Sequence, residues 1–107
     1  MNMNQSKKAV TVGLTSLLLA IAFGAQAYTG EALAKHAKVS IAEARVIALN
    51  AHAGKITDEE LEKEAGGSGM RYSFDIVEAG KKAMQEVGVD AQTGAVLENK
   101  PEGANPD

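Results

Sequence analysis

Cysteine and tryptophan are absent from the chain of 107 residues, and only four aromatic side chains and two prolines occur. Without cysteine there can be no disulfide scaffold, no thiolate zinc site and no cysteine nucleophile. Positive charge is also scarce, with Lys+Arg 11 against Asp+Glu 14 and a formal charge of −3. Nucleic-acid binding rests on clustered Lys and Arg, so the charge balance argues against a nucleic-acid partner. No internal repeat is visible, and composition alone names no function.

One apolar run stands at the start. Lys7 and Lys8 precede the uncharged, mostly apolar stretch Ala9 to Phe23, and Ala25-Gln26-Ala27 offers small residues where a signal peptidase inspects the chain. Residues 1–27 therefore read as a signal peptide, with cleavage after Ala27 leaving Tyr28 as the new N-terminus. The competing reading is an uncleaved membrane anchor. Against it, only 22 residues (Ala9 to Gly30) lie between charges, and the tightly apolar part, Leu14 to Phe23, is short for a span. The expected destination is periplasmic or secreted, with no membrane span after cleavage. Eighty residues would remain, with 9 basic and 14 acidic side chains, a formal charge of −5. That is one small domain at most, whose core supplies only about 3–5 kcal/mol of net stability.

Residues 28–39 show no firm period and read as an N-terminal loop. Ser40-Ile41-Ala42-Glu43 is a capping box, and Ile41, Ala44, Ile47, Ala48 and Ala51 follow at helical spacing, with Glu43, Arg45 and Asn50 assigned to water. The spacing predicts a helix over Ile41 to Ala53, closed by Gly54 in the left-handed position. Lys55 to Glu64 reads two ways. Propensity and a second capping box from Thr57 to Glu60 favour helix, but such a helix would bury only Ile56 and Leu61. Gly66 to Gly69 is a loop, and Met70, Tyr72, Phe74 and Ile76 alternate with polar residues as in a half-buried strand. Beyond a turn at Ala79-Gly80, Lys82 to Val89 is expected to pair back antiparallel. Asp90 to Gly94 forms a tight turn in which Asp90 bonds its own backbone two residues on. Ala95 to Leu97 supplies a last short strand, and the proline-bearing Glu98 to Asp107 reads as a disordered tail.

These residues resemble a known family. The helix with Ala44 and Ala48, then Leu61, the alternating Tyr72-Phe74-Ile76, and above all Val87-x-Val89-Asp90-Ala91-x-Thr93-Gly94-x-Val96-Leu97 look like a PepSY domain over Val39 to Leu97, with the domain set at residues 40–97. The resemblance implies an α+β fold, one main helix packed on a small antiparallel sheet of three to four strands, and it resolves Lys55 to Glu64 as strand. The chain departs from the family there, carrying Asp58-Glu59-Glu60 where β-branched residues are usual. PepSY domains are similar to the prosegment module of thermolysin-type metallopeptidases. The implied function is non-enzymatic: an exported module that binds a protein partner and modulates or inhibits a peptidase in the bacterial envelope or exterior. No catalytic residue and no cofactor carries over from the family, and the oligomeric state stays open.

Other constellations have simpler readings. His36 and His52 lie sixteen residues apart with no H-x-x-x-H pair, so no metal ligands are assigned, and His52 suits the negative end of the helix dipole. Five carboxylates fall within seven residues, but not in a calcium-loop pattern. On a strand, Asp58, Glu60, Glu62 and Glu64 would share one side, and Thr57, Glu59, Leu61 and Lys63 the other. The simplest account is solvated charge that discourages edge pairing; the functional account is an acidic face that recognises a basic partner. A small-ligand or metal-sensing periplasmic domain using these carboxylates and His52 is the alternative function. The Met70–Ile76 stripe reads as core, Gly66 to Gly69 lacks the pattern of a phosphate loop, and Ser40 has a capping role in place of a catalytic triad.

Overall fold

The computed structural model describes residues 27–102. The expected leader, apart from Ala27, and the last five residues of the expected tail lie outside the described residues. In chain order there follow a short 3-10 helix (Glu31–His36), helix α1 (Ile41–Ala51), and strands β1 (Lys55–Lys63), β2 (Met70–Val77), β3 (Met84–Asp90) and β4 (Val96–Pro101). The strands form one antiparallel sheet in the order β1-β2-β3-β4, and α1 packs on one face across β2, β3 and β4. This is the α+β arrangement expected.

Helix α1 starts where its capping box sets it. The Glu43 N–H donates to Ser40 Oγ at 3.0 Å, and the Ser40 N–H donates to Glu43 Oε1 at 2.9 Å. Ala44 and Ala48 are fully buried, and their small side chains bring the helix backbone close to the sheet. Beneath them lie Leu61 of β1, Tyr72, Phe74 and Ile76 of β2, and Val87 and Val89 of β3. The alternating stripe of β2 is thus the core, and Tyr72 anchors it further by donating its hydroxyl to the Val39 carbonyl at 2.7 Å. Burial pushes that phenol up to about 12, with Tyr28 and Glu43 adding to the shift.

Several boundaries differ from the sequence expectations. Residues 31–36 are a 3-10 helix within the expected loop, seated against β1. Helix α1 stops at Ala51, and the extended His52 closes it by donating its N–H to Ala48 O, so Gly54 is not its cap. Lys55–Lys63 is strand, because pairing with β2 buries Leu61 and Ile56 as no short helix could. The strand bulges at Thr57, between the pairs Ile56–Ile76 and Asp58–Asp75. Strand β3 begins at Met84, not at Lys82. The last strand runs to Pro101, so Glu98 to Pro101 are not tail: Glu98, Asn99 and Lys100 face Gly88, Val87 and Glu86 across β3. Polar residues suffice because this strand lies at the sheet edge, where proline is also tolerated.

The largest correction concerns Arg45. Helical spacing turns it towards water, yet it is fully buried. It forks onto Glu59 of β1, with Nε to Oε2 at 2.5 Å and Nη2 to Oε1 at 2.8 Å. This bidentate pair bolts the helix to the edge strand.

The Asp90–Gly94 turn is the second fastening. Asp90 Oδ1 accepts the N–H groups of Gln92 (2.8 Å) and Thr93 (3.1 Å) and the Ser68 hydroxyl (2.7 Å), while Oδ2 accepts the Ser68 N–H at 2.6 Å. Burial works to raise its pKa, but the hydrogen bonds from Gln92, Ser68 and Thr93 outweigh it and hold the carboxyl at about 2. Gly67 is required beside it: its φ is 54°, and a Cβ there would collide with Asp90 Oδ2. The Ala91 carbonyl accepts the N–H groups of both Lys38 and Val39, at 3.1 and 2.9 Å. One turn therefore holds the β1–β2 loop and the approach to α1 together.

Candidate functional site

The sheet face away from α1 carries the clearest chemical signature. On β1, Asp58, Glu60 and Glu62 point to this face and Glu64 follows beyond the strand end; β2 adds Asp75, β3 adds Glu86, and β4 adds Glu98, with Glu102 just past it. These residues line an open depression of about 430 Å³ together with Ser73 and Lys100. The four carboxylates singled out from the sequence do share one side, as strand periodicity requires. The other side of β1 departs from simple alternation only at the bulge, which lets both Ile56 and Glu59 lie with Leu61 against the helix side.

Cross-strand register explains the electrostatics. Asp58 faces Asp75, and Asp75 faces Glu86, so three carboxylates stand in one row before Lys100 ends it on β4. Like charges directly opposite one another cost stability. Asp75 is raised above the ordinary carboxylate range by burial first, then by Glu102 and Asp58. Glu86 is raised by burial and then by Glu98, Glu102 and Asp75, with Lys100 opposing. Partial relief comes from Ser73, which donates its hydroxyl to Glu62 at 2.8 Å, and from Lys100, 2.9 Å from Glu98.

Arg71 closes one end of the face. Alternation points it towards solvent, and it does lie on this side, but the loop after β1 and Glu98 cover it to 7 % exposure. Its guanidinium donates to the Ala65 carbonyl at 3.1 Å and reaches Glu98 at 3.3 Å, while Nε has no hydrogen-bond partner among the described residues. The side chain crosses β3 over Gly88, where an added Cβ would stand 3.3 Å from Nη1. A glycine inside a strand is the sequence signal for such a close crossing.

The chain matches the family model described as "PepSY: Peptidase propeptide and YPEB domain" over residues 38–100. The chain belongs to the PepSY family. The match runs into β4 as far as Lys100, three residues beyond Leu97, where the motif ends. Comparison with curated proteins and with solved structures finds no significant match. The motif residues of this PepSY domain are structural: Asp90, Ala91, Thr93 and Gly94 make the fastening turn described above, and Val87, Val89 and Ala91 are core.

The histidines do not converge on the acidic face. His36 is exposed in the 3-10 helix, where its carbonyl accepts from Gln92 Nε2 at 2.6 Å, and His52 Nε2 lies 3.1 Å from Glu78 Oε1. Among the described residues no group of three His, Cys, Asp or Glu side chains is placed to hold a metal ion, and no helix is long and apolar enough to cross a membrane. Sequence reasoning missed Arg45, Asp75, Glu86, Glu98 and Glu102 as members of fastening or face. A signal for the first existed: Glu59 falls on the inward side of β1 with Leu61, and a buried carboxylate demands a cation.

Proposed function

We propose that this PepSY domain is a non-enzymatic, exported module that binds another protein in the bacterial envelope or exterior, a peptidase that it modulates or inhibits. The observation that carries the reading is the acidic sheet face. Asp58, Asp75 and Glu86 stand opposed in one row, and neighbouring Glu60, Glu62 and Glu98 extend the same sign over the surface. Such crowding costs stability within the domain, and a basic surface of a partner would relieve it. The family description, which names peptidase propeptides, supports the choice of a peptidase as that partner. The leader, with Lys7, Lys8 and Ala25-Gln26-Ala27, supports export.

The test is a photo-crosslinking residue introduced at Glu60 in living cells, with mass spectrometry of the adducts and a parallel assay of extracytoplasmic proteolysis. A peptidase among the adducts, with proteolysis that changes when the domain is deleted, is the expected result. Adducts without any peptidase, together with unchanged proteolysis, would remove the proposal.

A further inference from the structure

The outer edge of β1 is half used. Thr29 lies beside Glu60 in a parallel bridge, and the Leu61 N–H donates to the Thr29 carbonyl at 2.8 Å. Beyond that bridge no strand lies beside Ile56–Glu59 among the described residues, since β1 pairs on its other side with β2. A groove of about 700 Å³ opens there, between the edge and Tyr28. The groove shares Asp58 with the acidic face.

We infer that this edge receives an extended segment of the partner protein, added to the sheet beside Ile56–Glu59, whose side chains alternate between apolar and basic. Thr29 shows that the edge already accepts main chain. A strand laid along it presents every second side chain to each face of the sheet. On the helix side those side chains meet Ile56, which packs on the core, and Tyr28, whose ring centroid is 6.4 Å from that of Tyr72. On the opposite side they meet Asp58 and, next along, Glu60. The bulge at Thr57 and the charge of Asp58 guard the edge against indiscriminate pairing. A second copy of β1 would set Asp58 and Glu60 against their own kind, so the charge selects a basic strand and not the chain itself.

The inference rests on the reading of the domain as a protein-binding module, and its test separates the two. The protein, in the form that accumulates in cells, is labelled with ¹⁵N and titrated with a synthetic peptide alternating lysine and valine. The same peptide N-methylated on alternate residues, and a glutamate–valine peptide, are run beside it. The expected result is amide perturbation at Thr29 and Ile56–Glu59, with affinity about tenfold weaker for the N-methylated peptide, which keeps its side chains but loses main-chain donors. Asp58→Lys is expected to weaken the lysine peptide about fivefold and to favour the glutamate peptide. Absence of binding, or binding indifferent to N-methylation, would overturn the edge site. So would perturbation confined to Glu86, Glu98 and Lys100, although that result leaves recognition through the acidic face standing. Edge binding of the peptide in a protein that crosslinks to no peptidase would instead sustain this site and remove the proposed partner.

Discussion

Arg45 and Glu59 are worth more as a pair than either is alone. The guanidinium is out of water, with its side chain 1 % exposed, and Glu59 supplies both acceptor oxygens. Breaking such a pair from one side leaves an uncompensated buried charge. Glu59→Gln is expected to cost about 3 kcal/mol in urea unfolding, whereas Arg45→Met with Glu59→Leu should recover most of that loss. A double mutant no better than the single would show that the charge itself stabilises. Asp90 is the other residue whose removal should be felt. Asp90→Ala abandons Ser68, Gln92 and Thr93 together and is expected to cost about 2–3 kcal/mol by the same measurement.

At the scale of elements, the helix start is the simplest to test. Ser40→Ala removes the acceptor for the Glu43 N–H and is expected to lower stability by about 1 kcal/mol, read from the thermal unfolding midpoint. That start was legible because a capping box is local chemistry. Strand β2 was legible because Tyr72, Phe74 and Ile76 alternate over a buried face, and the Asp90 turn because an aspartate bonding its own backbone needs no distant partner. Strand β1 was not legible from its residues: Asp58-Glu59-Glu60 favours helix locally, and only burial of Ile56 and Leu61 against β2 decides otherwise. Strand β4 beyond Leu97 has no apolar pattern at all; Glu98 to Pro101 are strand because the β3 backbone offers partners. The acidic face was half legible. Alternation gathers Asp58, Glu60, Glu62 and Glu64 on one side, but their meeting with Asp75 and Glu86 is set by register, which the bulge at Thr57 shifts.

For the whole molecule, two sets of carboxylates pull the pH dependence in opposite directions. Asp75 and Glu86 are raised in the folded state, so the native chain binds protons before the unfolded one does, and stability rises as pH falls towards the ordinary carboxylate range. Asp90 is lowered to about 2. Its contribution is complete above the unfolded value near 3.8 and is lost as pH falls through the folded value. The unfolding midpoint in urea is expected to climb from neutral pH, peak in mild acid and drop below about pH 4. Asp75→Asn with Glu86→Gln should raise the neutral value and flatten the climb, leaving the acid drop in place. Added salt at neutral pH should mimic part of the climb, since it screens the opposed charges.

Asp90 and Ala91 also impose a sequence in time. The loop holding Ser68 and the connection holding Lys38 and Val39 are both tied to groups supplied by residues 90 and 91. A nascent chain that has not yet delivered those residues lacks these two fastenings, and holds the β1–β2 loop and the approach to the helix only through Arg71 on the Ala65 carbonyl and Tyr72 on the Val39 carbonyl. Full fastening of the domain therefore waits on residues 90 and 91 as the chain leaves the ribosome.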